Sequence, residues 1–298
     1  KIEFLGQDRL RLSDATFTTC EPGRDDWVLL VDELELDYAA DEGRARQPRL
    51  RFLDTTVAAL PFATFPLEKR RKSGFLTPYY SQTTSRGLEF GVPYYWNIAP
   101  EQDATLTPVY MSKRGTQLKT AYRYLDPKYA GELRLELLPD DRELRRTRHG
   151  LSLQHSHQFN PSASAQIDFN RVSDDRYFVD LGSQVRQVSV GNLNRDALFN
   201  YSGQIGDQGY SFQARIQRFQ TLQDPLAPIV SPYHRLPQLS FGATRNDIAG
   251  LIDAGLPAEL VRFSHPTLIQ GTRVTLNPTL SAPFLAPGWF LTPKLGLR

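Results

Sequence analysis

The chain has 298 residues, room for one large domain or two smaller ones, and its 40% apolar and 23% charged residues exclude a disordered polymer. A formal net charge of only +2 gives no argument for nucleic acid or an anionic surface as partner. The 17 Phe and 13 Tyr against a single Met favour strands over helices.

No stretch approaches the ~18 consecutive apolar residues of a membrane-spanning helix. The richest run, 55–67, is interrupted by Pro61 and Pro66 and carries Thr55, Thr56 and Thr64. A mean hydropathy of −0.43 taken alone suggests a soluble protein. Barrels escape that test, because only alternate residues face lipid. No signal peptide is visible and the chain starts at Lys1, so a processed chain or a piece of something longer is expected. Cys20 is the single cysteine and has no internal disulfide partner. In an exported protein it points to a partner elsewhere or a free thiol, and in a cytosolic one to a small buried apolar residue.

Residues 1–67 offer short strand candidates at 9–12, 15–19, 27–31, 33–38 and 49–53. Leu34, Leu36 and Tyr38 share one face there, opposite Glu33, Glu35 and Asp37. Short strands at regular spacing suggest a sandwich, jelly roll or related open roll. A boundary is expected within 66–80, where Lys69-Arg70-Arg71-Lys72 breaks the pattern. Residues 92–115 then join two aromatic-rich runs across Ala99-Pro100, and each run carries a proline, Pro93 or Pro108. Proline has no N–H for a ladder and is confined within sheets to edges, ends and bulges. Two neighbouring strands weakened alike suggest a seam meant to open. The alternative is that each proline marks a strand end beside the turn.

Beyond this, alternation with a period of two dominates. Leu133, Leu135 and Leu137 oppose Glu132, Arg134 and Glu136, and Ala165, Ile167 and Phe169 oppose Gln166, Asp168 and Asn170. The same pattern recurs at 197–205, 211–217 and 273–281. Segments of about ten residues with dyad alternation fit a transmembrane barrel. A soluble sandwich alternates too, with strands nearer 5–6 residues. Only 248–251 and 258–261 look helical.

An ordered series of motifs resembles the LptD family of LPS-assembly proteins. It starts with Phe17-Thr18-Thr19-Cys20-Glu21-Pro22-Gly23 and Trp27, then Phe65-Pro66-Leu67 and Arg70-Arg71-Lys72-Ser73-Gly74-Phe75-Leu76 with Pro78. Val92-Pro93-Tyr94-Tyr95-Trp96-Asn97-Ile98-Ala99-Pro100 follows, continuing to Thr107-Pro108-Val109-Tyr110-Met111 and Arg114-Gly115. Tyr122-Arg123-Tyr124-Leu125 and Leu138-Pro139-Asp140-Asp141 close the series. Past about residue 145 only barrel-type alternation supports the likeness.

The resemblance implies an all-β chain: the C-terminal part of a periplasmic β-jelly roll (1–72), then the first strands of a large antiparallel transmembrane β-barrel (73–298). The chain is too short for a whole barrel of that kind, so a fragment is expected. The implied work is lipopolysaccharide transport and insertion into the outer leaflet of a Gram-negative outer membrane. A periplasmic bridge protein (LptA-like) would supply the lipid, and an outer-membrane lipoprotein plug (LptE-like) would fill the lumen. Phe17, Trp27, Leu34, Leu36, Leu50 and Phe52 would line the roll, although each also serves as ordinary core. Pro93 and Pro108 would weaken a lateral gate, and Cys20 would pair with a distant cysteine of the full-length protein. Arg70 and Arg71 are candidate phosphate contacts, against the ordinary reading of a charge run as a solvated face.

His155 and His157 point the same way, with His149 nearby, but no Cys, Asp or Glu stands at a supporting metal-ligand spacing. No G-x-S-x-G, G-x-x-x-x-G-K-[ST] or H-E-x-x-H is present, so neither enzyme, metal nor cofactor is expected. The rival readings are an outer-membrane porin or nutrient receptor, whose first and last strands stay firmly paired, and a soluble glycan-binding β-sandwich.

Overall fold

The computed structural model describes residues 1–21, 26–67, 71–182 and 191–297. They form two compact units, Lys1–Phe75 with Tyr95–Asn97, and Leu76–Tyr94 with Ile98–Arg298.

The first unit is built on a seven-stranded antiparallel sheet. Its strands are β1 (Ile2–Phe4), β2 (Arg9–Phe17), β3 (Trp27–Asp37), β4 (Glu42–Arg46), β5 (Arg49–Phe52), β6 (Thr55–Ala59) and β7 (Phe62–Phe65). The central strand β3 runs unbroken through what the sequence suggested as two pieces, as does β2. On its other edge β3 pairs with β5 through its first half and with β4 through its second. β8 (Gly74–Phe75) follows.

The second unit opens with β9 (Tyr79–Thr83), β10 (Gly87–Gly91) and β11 (Tyr94–Ala99). Long strands follow: β12 (Gln102–Met111), β13 (Gly115–Leu125), β14 (Tyr129–Asp141), β15 (Arg146–Asn160) and β16 (Ala163–Val172). After helix α1 (Tyr177–Leu181) come β17 (Asn192–Ile205), β18 (Gln208–Thr221), β19 (His234–Ile248) and β20 (Ile252–Ser264). The short β21 (Gly271–Leu276), β22 (Thr279–Ser281), β23 (Phe284–Ala286), β24 (Trp289–Leu291) and β25 (Lys294–Gly296) end the set. From β12 to β20 each strand pairs antiparallel with the next, and at 10–15 residues they far exceed the ~5–6 of soluble sheets.

The wall is sided in the reverse sense of a soluble sheet. Leu118, Leu135, Leu137, Ile167, Phe199, Phe212, Ile216, Phe241, Leu256 and Leu260 are all exposed. Gln117, Glu136, Ser152, Asn170, Asn194 and Gln217, on the other face, are buried. Their polar groups bond to one another: Ser152 donates to Asn170 at 2.7 Å, Asn170 to Asp168 at 2.8 Å and Asn194 to Asp168 at 3.1 Å. An apolar exposed face over a hydrogen-bonded polar face is the arrangement of a strand bordered by lipid.

Two expectations fail. Residues 248–251 and 258–261 are not helical: the first closes β19 and its turn, the second lies within β20. A short apolar cluster fits either period, and here pairing with Leu239 and Val274 decides for strand. The run 273–281 is not one strand but β21 and β22, divided at Asn277-Pro278, where proline has no donor for the ladder. The described helix, α1, lies in a segment for which no element was expected.

Candidate functional site

The two prolines meet at one level of the sheet. Pro93 lies in the gap between β10 and β11, whereas Pro108 lies inside β12, directly opposite Leu118 of β13. The Val92 N–H donates to the Pro108 carbonyl at 3.2 Å, and the Leu76 N–H donates to the Pro93 carbonyl at 2.8 Å. In a hydrogen-bonded antiparallel pair the two residues exchange both bonds. Each proline returns none. Two successive rungs, Leu76·Pro93 and Val92·Pro108, therefore run at half strength, and the missing Pro108 donor faces β10, not β13.

The first sheet is amphipathic through its register. Ile2 pairs with Leu12 and Phe4 with Leu10, and these leucines pair in turn with Leu34 and Leu36 of β3. Leu34 continues to Ala45, and Leu36 to Gly43, which Phe65 of β7 overlies. These residues make one apolar face across five strands. The opposite face carries Arg9 with Glu35 at 2.8 Å and Asp37 at 3.1 Å, and Arg11 with Glu33 at 3.4 Å. Of the six residues expected to line the roll, Leu34 and Leu36 belong to this apolar face. Phe17, Trp27, Leu50 and Phe52 cluster at the other end of β3 through the pairs Phe17·Leu29, Leu29·Leu50 and Trp27·Phe52, beyond Asp14, whose positive φ interrupts the β2–β3 ladder. Phe17 and Trp27 meet edge to face at 5.9 Å.

Cys20 is a free thiol of intermediate exposure, its N–H bonded to Thr18 Oγ1 at 3.1 Å. Arg70 lies outside the described residues. The Arg71 carbonyl accepts from Asn97 Nδ2 at 2.9 Å. His155 and His157 sit in an aromatic belt on the exposed face of the wall, near the short turns. The Tyr124 hydroxyl meets His155 Nδ1 at 2.6 Å, and His157 stacks on Phe159 at 4.1 Å. Among the described residues no group of His, Cys, Asp and Glu is placed to hold a metal.

One cluster had no counterpart in the sequence reading. Arg148, fully buried, donates to Asp174 at 2.8 and 2.9 Å, Asp141 at 3.0 Å and Asp180 at 3.1 Å. Arg114 joins it through Asp141 at 2.9 Å and Glu143 at 2.8 Å. Tyr177 of α1 donates to Glu136 at 2.9 Å and accepts from Gln117 at 3.2 Å. Burial beside Glu136 pushes its hydroxyl well above the usual phenol range, so it stays a neutral donor. Burial alone would raise the Asp174 carboxyl, but hydrogen bonds from Ser173 and Arg148 outweigh it and hold the group below its ordinary range. Val109, Met111, Leu138, Val172, Tyr177 and Leu181 pack beside these charges. The helix segment is thus fastened onto the polar face of the wall by both charge and apolar contact. Arg114 and Asp141 each stood in a quoted motif, but nothing in their spacing signals that they converge with Asp174 and Asp180.

Comparison with known proteins agrees with this architecture. Residues 146–298 match the family model LptD, LPS transport system D. The LPS-assembly protein LptD of Nitrosospira multiformis is 40% identical over 297 residues, 99% of this chain and 32% of that protein. Its namesake in Nitrosomonas eutropha is 39% identical over 294 residues, covering 98% and 40%. That of Chromobacterium violaceum is 40% identical over 298 residues, covering 100% and 38%. The chain thus spans about a third to two-fifths of the curated relatives it matches. With a family model covering half its length and curated relatives aligned along all of it, this chain belongs to the LptD family.

Proposed function

We propose that the chain is the part of an outer-membrane translocon that conducts lipopolysaccharide from the periplasm to the outer leaflet. In this reading residues 1–72 are periplasmic and shield acyl chains on the apolar face of Leu10, Leu12, Leu34 and Leu36. Residues 73–298 are barrel wall, with the sugar on its polar face. A periplasmic bridge protein of the LptA kind delivers the lipid, and an LptE-like lipoprotein occupies the lumen. Arg70 and Arg71 meet lipid phosphate, and Cys20 forms its disulfide in the full-length protein. The work is passage without covalent chemistry.

The observation that carries the reading is the pair of half-strength rungs at Pro93 and Pro108. In lipid an unsatisfied backbone group costs several kcal/mol, so strands lacking donors at one level part more readily than their neighbours. Lipid would leave sideways there. The test is P93A/P108A in the full-length protein, with lipopolysaccharide arrival at the cell surface as readout. Two restored donors, each worth about 1 kcal/mol net, should slow export by roughly tenfold or more. Export at the normal rate, with the variant folded in the outer membrane, would contradict the gate.

A further inference from the structure

Four arginines stand on the apolar, exposed face of the wall, all toward one end of its strands. Arg195 of β17 and Arg218 of β18 lie directly opposite each other, and Phe169 of β16 completes their row. Arg171 follows one row further along β16, and Arg262 stands near the end of β20. Arg171, Arg218 and Arg262 are exposed and Arg195 is half-buried. Arg195 lies over the Phe169 ring at 5.7 Å and donates to the Asn170 carbonyl at 3.2 Å and to Gln220 at 2.7 Å, both neutral acceptors. On the polar face arginines are neutralised: Arg134 meets Glu132 at 2.9 Å, Arg215 meets Asp196 at 2.8 Å and Arg273 meets Glu259 at 2.9 Å, whereas among the described residues none of the four has a carboxylate partner. Like charges directly opposite one another on a sheet are destabilising, so this row gains from an anion supplied from outside the chain.

Connectivity says which side of a membrane the row faces. The chain enters the wall at β9, whose Tyr79 is level with Gly91 of β10 and, through it, with Val109 of β12. Val109 is two residues from the 112–114 end of β12 and seven from the other. Consecutive strands are antiparallel, so β14, β16, β18 and β20 finish at that same end and β17 begins there. Arg171 and Arg262 fall in the last three residues of β16 and β20, Arg218 in the last four of β18, and Arg195 in the first four of β17. With residues 1–72 read as periplasmic, this end is the periplasmic rim. From Arg218 back to Tyr210 is eight residues along β18, about 27 Å at ~3.4 Å per residue. A strand tilt of ~35–45° reduces that to roughly 20 Å, close to the ~25 Å apolar band of a transmembrane barrel. The arginines therefore stand at the headgroup level of the periplasmic leaflet, with their stems along apolar rows and their charged ends among the phosphates.

We propose that Arg171, Arg195, Arg218 and Arg262 form a site, on the lipid-facing outside of the wall at its periplasmic rim, for the phosphate of an anionic glycerophospholipid. The guanidinium fork suits phosphate bidentately. A zwitterionic phosphatidylethanolamine brings its own ammonium beside the phosphate, whereas phosphatidylglycerol brings net negative charge to a row that lacks it, and basic groups at a membrane surface draw such lipids. Below the row Ile167, Ala197 and Ile216 face outward as register partners and accept the acyl chains. The site rests on the proposed membrane orientation of this wall, but it lies on the opposite face from any lumenal route.

The experiment uses the full-length protein with its lipoprotein partner, in phosphatidylethanolamine nanodiscs holding a minor fraction of phosphatidylglycerol. A photo-crosslinker replaces Leu151, the register partner of Arg171 on the same face, and a control crosslinker replaces Tyr201, toward the opposite end of β17. Phosphatidylglycerol adducts at Leu151 should exceed its share of the disc about tenfold, the equivalent of ~1.4 kcal/mol, with no enrichment at Tyr201. The enrichment should vanish in R171Q/R218Q/R262Q, and R218Q alone should lower it several-fold. These three side chains make no hydrogen bond among the described residues, so the wall should survive their loss. No preference over phosphatidylethanolamine, equal enrichment at Tyr201, or no change in either variant would each overturn the site. In cells the same Leu151 crosslinker should capture glycerophospholipid. Lipopolysaccharide captured there instead would put this rim in the outer leaflet and overturn the assignment. A protein that stays outside the disc would overturn the membrane reading itself.

Discussion

Arg148 is fully buried and holds three carboxylates, Asp141, Asp174 and Asp180, drawn from the end of β14, the loop after β16 and α1. Removing one partner from a buried ion network leaves uncompensated charge and costs about 3–5 kcal/mol. Arg148→Met should therefore release the helix segment, with faster amide exchange across 174–182 and little change in β13. Unaltered protection there would mean that apolar contact alone holds α1. The same fastening should depend on pH in one direction. The Asp174 carboxyl is held below its ordinary range in the folded state, so its contribution is complete above the unfolded value of about 4. It is lost as pH falls through the folded value. Protection at 174–182, corrected for the intrinsic pH dependence of amide exchange, should thus be flat from pH 7 to about 5 and fall only in stronger acid. A loss of protection beginning near pH 6 would contradict this. None of it was legible in the sequence, because the partners lie up to 32 residues apart and meet only when β14, β15 and α1 are assembled.

At the scale of elements, the prolines separate what the sequence showed from what register decides. Proline in two neighbouring runs was visible, and so was the loss of a donor. Which neighbour loses the bond was not, because that depends on whether the N–H points left or right along the ladder. Pro108 is turned toward Val92, and Pro93 away from it toward Leu76. The single variants should therefore act on different rungs. Pro108→Ala should slow amide exchange at Val92 more than at Leu76, and Pro93→Ala the reverse. Equal effects at both amides would mean that the segment responds as a unit. Alternation also located β14, β16, β17 and β18 well, since every second residue faces a different medium. It failed at 273–281, where one proline divides the strand, and at 258–261, where four residues are too few to distinguish periods.

Across the whole molecule one physical theme recurs: apolar surface left open where a soluble protein would cover it. In the wall the leucines and phenylalanines lie outside while asparagines, glutamines and aspartates bond to each other behind them. In the first sheet an apolar face backs onto a ladder of arginine–carboxylate pairs. Composition could not reveal this, because an inverted sheet and an ordinary one have the same residues. A family likeness in residues 15–141 pointed to it, and the match of 146–298 to the family model reaches it from the other half of the chain. On the proposed route, lipopolysaccharide travels along the apolar face of the first sheet. The most direct test is a photo-crosslinker at Leu36 in the full-length protein in cells, with Glu35, its neighbour on the charged face, as control. Lipopolysaccharide adducts are expected at Leu36 and Leu34, dependent on active transport, and none at Glu35. With the protein folded in the outer membrane, no adduct at Leu36 or Leu34 would contradict it and favour a porin or nutrient receptor instead.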